Sequence, residues 1–76
     1  MSERLAAVKP KELIRALERK GWRLDRISGS HHIIVHIELG RAVTVPLHNR
    51  ELKIGTLISI LRVAGIGRDE LRQLLE

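Results

Sequence analysis

The spacing of apolar residues changes period twice along this chain, and that alternation limits the folds open to it. Leu13, Ile14 and Leu17 recur at the interval of a helix with one buried stripe. In Trp22-Arg23-Leu24-Asp25-Arg26 apolar and charged residues alternate, which is the period of a strand with one wet face. Leu57, Ile60, Leu61 and Ala64 then return to the helical interval without a miss. With 76 residues there is room for one domain only, and a core this small buries roughly 60% of the surface of the unfolded chain.

Local signals set the boundaries. Pro10 suits the first position of a helix over about Lys9–Lys20, Glu12 lies in its first turn, and Gly21 is a natural stop. Strands are expected at Trp22–Arg26, His31–Ile37 and Ala42–Val45, separated by turns at Ser28-Gly29-Ser30 and Gly40-Arg41 and ended by Pro46. A second helix is expected from about Lys53 to Val63, stopped by Gly65. A short third follows over 68–75, with Leu71, Leu74 and Leu75 as its apolar side. Short connections imply an antiparallel meander. The reading is a two-layer α+β domain of order α-β-β-β-α, a three-stranded antiparallel sheet with helices on one face. Residues 1–8 read as an N-terminal extension ahead of a single domain at 9–76.

Parity along the strands assigns faces. Trp22, Leu24, Ile33, Val35, Ile37, Val43 and Val45 are the strongest apolar sets and are expected beneath the helices. His32, Ile34, His36 and Thr44 would then lie on the open side. His31 has core-face parity but begins its strand, where it is partly exposed.

The charge is uneven. Fourteen Lys and Arg against nine Asp and Glu give +5 overall; residues 1–28 carry +4, 29–66 carry +2 and the last ten carry −1. A basic face of this kind favours a polyanion or an acidic partner; its bland reading is solubility alone. Trp22 is the only Phe, Tyr or Trp, so the chain is no binder that grips single strands by stacking several bases on exposed rings. Cysteine is absent, which excludes disulfides and thiolate metal sites. The longest apolar runs are too short for a membrane span or a signal peptide, and the expected location is the cytoplasm.

Four histidines are the candidate chemistry. A metal site is not expected: His32 and His36 lie ~13 Å apart along one strand at ~3.3 Å per residue, whereas zinc needs every ligand nitrogen at ~2.0–2.1 Å. Of the acidic residues, only Asp25 and Glu38 fall in the sheet region, which is no cluster for a two-metal nuclease. Metal-independent RNA cleavage is the remaining nuclease route. In it the ribose 2′-hydroxyl attacks its own phosphate, and histidine suits the proton transfers. On spacing alone, a histidine opening a strand after Gly-Ser is more often structural or merely exposed.

Gly29-Ser30-His31-His32-Ile33 resembles the G-S-H signature of the HicA toxins, the mRNA interferases of bacterial HicAB toxin–antitoxin systems. Further stretches extend the resemblance, in the right order, over about residues 9–75. Lys9-Pro10-Lys11-Glu12-Leu13-Ile14 and Gly21-Trp22 resemble the opening of that family, and Val43-Thr44-Val45-Pro46 with His48 its third strand and following loop. Residues 52–66 resemble its closing helix. The resemblance implies a fold like the double-stranded-RNA-binding domain, mRNA cleavage that inhibits translation and growth, and silencing by a HicB-like antitoxin. It implies that His31 is the catalytic residue, its place after Gly-Ser favouring it over His32. Gly29, Ser30, Lys9, Lys11, Arg26 and Lys53 are the residues expected to meet RNA, with Arg41 and Arg50 as further basic neighbours in chain order. No cofactor is expected. Gly29 also has a plain reading as turn geometry, and most of the basic residues one as solvated surface. Two other functions fit the pattern: a non-catalytic binder of double-stranded RNA, and an adaptor whose basic face meets an acidic protein. Against the first, only Lys53 stands near the start of the second helix, where such binders carry a lysine cluster.

Overall fold

A computed structural model describes residues 7–48 and 50–76. Its elements are α1 (Pro10–Arg19), β1 (Arg23–Ser28), β2 (His31–His36), β3 (Arg41–Pro46), α2 (Ile54–Ala64) and α3 (Arg68–Leu75). The strands form one antiparallel sheet in the order β1-β2-β3. Helices α1 and α2 pack against β3, and α3 packs against α1, so the helical layer covers one face and leaves the other open. This is the two-layer α+β architecture expected, like that of a double-stranded-RNA-binding domain.

The helices form where their apolar stripes predict. Leu13, Ala16 and Leu17 of α1 and Leu57, Ile60, Leu61 and Ala64 of α2 are buried, while Arg15, Glu18 and Arg19 face solvent. Glu12 accepts the backbone N–H of Lys9 at 3.0 Å, closing the first turn of α1. Gly21 follows that helix with a φ of +90°, and a β-carbon there would meet the His36 ring nitrogen at 3.1 Å. Glycine is thus favoured twice at this position, by conformation and by space. Leu71 buries α3 onto the core, with Leu74 and Leu75 partly covered. Arg19 donates to the carbonyls of Leu74 and Glu76, at 2.8 and 3.1 Å, and ties the end of α1 to the end of α3.

Most of the proposed N-terminal extension, residues 1–6, lies outside the described residues. Val8, also assigned to it, is fully buried in the core, and its carbonyl accepts the N–H of Leu52 at 2.8 Å. The core therefore begins before the first helix.

One expectation is overturned in β2. Antiparallel partners directly opposite each other share a face. His32 stands opposite Val45 and Ile34 opposite Val43, and both valines are buried beneath the helices. So His32, Ile34 and His36 lie on the helix-covered face, and His31, Ile33 and Val35 on the open one. The sequence parity put them the other way round. Ile37 falls outside β2 and is 67% exposed. Leu24 is opposite Ile34 but sits on edge strand β1 beside a bulge, and is 45% exposed. Trp22, Val43 and Val45 are buried as expected, and Thr44 is on the open face opposite Ile33.

Candidate functional site

The β1–β2 connection is as short as a hairpin allows. Ser28 and His31 are paired, and Gly29 and Ser30 alone make the turn. Gly29 has a φ of +61°, while Ser30 does not have a positive φ. That is the pattern of a tight hairpin turn with glycine at its first central position. Among the described residues, nothing beyond its own chain neighbours lies within 4 Å of where a Gly29 β-carbon would stand, so glycine is there for conformation, and the space above the turn is open.

His31 is the first residue of β2 and is exposed on the open face. Its imidazole makes no hydrogen bond or ion pair among the described residues. Across the strands it is flanked by Ser28 and Pro46. The next row on that face is Arg26, Ile33 and Thr44, and the one beyond it Arg23, Val35 and Ala42. Arg26 reaches this face because the register shifts by one residue between Leu24 and Arg26, the bulge taking up Asp25. Its guanidinium donates to the Asp25 carboxylate at 3.0 Å and stays largely in solvent.

The chain path gathers further basic groups at the same end of the molecule. Helix α1 feeds β1 at the end of the sheet remote from His31, so the start of α1 lies toward His31. β3 leaves the sheet at Pro46, opposite His31, and α2 begins eight residues later. The bond from Leu52 N–H to the Val8 carbonyl holds the starts of both helices together. Lys9 is the N-cap of α1, Lys11 lies in its first turn, and Lys53 is the N-cap of α2; all three are exposed. Neither cap is closed by a side chain from the cap residue, and α2 has no acidic residue in its first turn. Aligned N–H groups and lysines make this end favourable to anions. His48, Arg50, Glu51 and Lys53 line an open cleft beside it.

Of the residues expected from sequence, Gly29, Ser30, His31 and Arg26 come together on the hairpin and its open face. Lys9, Lys11 and Lys53 lie at the same end but on the helical layer. Arg41 is elsewhere: its guanidinium donates to the Val63 carbonyl at 3.0 Å at the opposite end of the sheet. His36 is structural, its ring edge-on to Trp22 with centroids 5.5 Å apart and its Nδ1 accepting the N–H of Leu39. His32, on the covered face, has a buried Nδ1 without a hydrogen-bond partner among the described residues. Its side chain is therefore turned away from His31. Sequence order gave Arg50 no special place; its position in the cleft follows from the path of the loop after β3. Among the described residues, no group of three or more His, Asp or Glu side chains converges as metal ligands would, and no helix is long and apolar enough to cross a membrane.

A family model described as "HicA toxin of bacterial toxin-antitoxin" matches residues 10–66, from the first residue of α1 to just past α2. No curated protein matches the sequence significantly.

Proposed function

The chain belongs to the HicA toxin family of bacterial toxin–antitoxin systems, and from that premise we propose that it is an endoribonuclease that cuts mRNA, stops translation and growth, and is held silent by a HicB-like antitoxin. The observation that carries this reading is His31: an exposed imidazole with no partner among the described residues, on the helix-free face, beside a turn with open space above Gly29. In the proposed reaction His31 takes the proton of a ribose 2′-hydroxyl. The 2′-oxygen then attacks the adjacent phosphorus and the bond to the 5′-oxygen breaks. The leaving oxygen takes a proton from solvent, and the products are a 2′,3′-cyclic phosphate and a 5′-hydroxyl. No metal enters these steps, and DNA, which lacks the 2′-hydroxyl, is not a substrate.

Arg26, Lys9, Lys11 and Lys53 hold the RNA backbone by charge, and the Gly29–Ser30 turn lets a phosphate come close to the main chain. With one aromatic residue, and that one buried, base readout is slight and sequence preference loose. The antitoxin covers the His31 surface. A toxin–antitoxin complex in which His31 stays fully accessible would overturn that part.

The test is induced expression of the native chain beside His31→Ala, with growth and total mRNA followed in both. Arrest and mRNA loss with the native chain alone, the variant being folded, supports the nuclease. Equal arrest by both makes the chain a non-catalytic double-stranded-RNA binder instead.

A further inference from the structure

A phosphodiester under attack builds charge on its non-bridging oxygens, and a donor aimed at them is worth more in the transition state than before it. His31 alone does not supply that donor while it takes a proton.

The loop after β3 does. The Leu47 N–H donates to the Ser30 carbonyl at 2.7 Å, which carries the β2–β3 pairing one residue past Pro46. Continued one residue further, the extended chain puts His48, two residues past Pro46, on the side that Pro46 shares with His31. A diagonal neighbour of this kind lies roughly 7–8 Å away, and somewhat less between β-carbons, a gap that one phosphate group with a hydrogen bond on each side can fill. His48 Nδ1 accepts the backbone N–H of Arg50 at 3.3 Å. A ring nitrogen that accepts carries no proton, so the ring proton is on Nε2. The imidazole is exposed and shares its cleft with Arg50 and Lys53. The other two histidines do not compete for this role, since both lie on the covered face.

Resting on the nuclease reading above, we infer that His48 is a second substrate-contacting residue, its Nε2–H donating to a non-bridging oxygen of the phosphate attacked beside His31. It transfers no proton; it binds the charge that develops there.

The experiment uses the purified full chain, a single-stranded RNA of mixed sequence, and steady-state rates across a range of pH. His48→Ala is expected to lower kcat about 100-fold, the loss typical of one such donor, with KM little changed. His48→Gln, which keeps an N–H near the position of Nε2, is expected to recover most of that loss. The pH profile of the residual activity is expected to keep its native shape. Native rates in both His48 variants, with His31→Ala inactive, would overturn the inference and leave the nuclease reading intact. Loss of one limb of the pH profile without rescue by Gln would overturn the donor role in favour of proton transfer. Failure of the native chain to cut RNA would overturn the nuclease reading and this inference with it.

Discussion

The guanidinium of Arg41 donates to the carbonyl of Val63 at 3.0 Å, joining the first residue of β3 to the last turn of α2. The bond satisfies a helix-end carbonyl with a cation, which also suits the negative end of the helix dipole. Arg41→Ala is expected to cost about 1 kcal/mol, which lowers the melting temperature of a domain this size by about 4–8 °C. RNA cleavage below the transition should be unchanged, because this bond lies at the end of the sheet opposite His31. Thermal unfolding followed by circular dichroism checks the first half and a cleavage assay the second. An unaltered melting temperature would show that the bond contributes nothing in solution.

His31 and His32 are neighbours in sequence and face opposite sides of the sheet, so their replacement should separate activity from stability. His31→Ala removes an exposed ring without internal bonds and is expected to abolish cleavage at little cost in stability. His32→Leu replaces a buried, unpartnered Nδ1 opposite Val45 with an apolar group of similar size. Leaving such an atom unpaired costs about 1–3 kcal/mol, so the variant should be more stable than the native chain and still cut RNA. Denaturant unfolding beside a cleavage assay reads both. Loss of activity in His32→Leu, with the fold intact, would contradict the assignment of faces.

That pair also marks where the sequence is legible and where it is not. Leu57, Ile60, Leu61 and Ala64 match one face of a helix and no other pattern, and all four are buried. Ala42-Val43-Thr44-Val45 alternates, so the faces of β3 are equally plain. In β2, Ile33, Ile34 and Val35 are consecutive, and such a run fits either phase. Counting apolar residues favours the odd positions, but pairing with β3 decides for the even ones, because Ile34 must share a face with Val43. Ile33 and Val35 remain only half-buried on the open face as a result. The hairpin with Gly29 and His31 was readable from local chemistry. The placing of His48 at the His31 end of the sheet was not, since it depends on the bond from Leu47 to Ser30.

Gly29 holds a backbone conformation that other residues adopt at roughly 1–2 kcal/mol, and no neighbour crowds it. Gly29→Ala is expected to lower stability by about that amount, and Gly29→Asn by less, since Asn tolerates positive φ. Because the turn sets where His31 begins β2, the alanine variant should also lose more cleavage rate than its stability loss explains. Rates measured well below each variant's transition separate the two effects. Equal stability of Gly29→Ala and the native chain would remove the conformational argument for this glycine.

Lys53 is exposed at the N-cap of α2 and lines the cleft with His48 and Arg50. If it neutralises an RNA phosphate, binding releases a counterion, and each such contact contributes about 0.7 to the slope of log affinity against log salt for a single strand. Measured in a His31→Ala background, where substrate survives, Lys53→Ala should shallow that slope by about 0.7 and weaken binding similarly for different sequences. Arg72→Ala is the control, since that guanidinium is paired with Asp69 on α3 and should leave the slope unchanged. A slope that Lys53→Ala leaves as it was would mean that Lys53 holds no phosphate and that charge at the start of α2 serves another partner. An equal change in both variants would make the effect one of net charge rather than of contact.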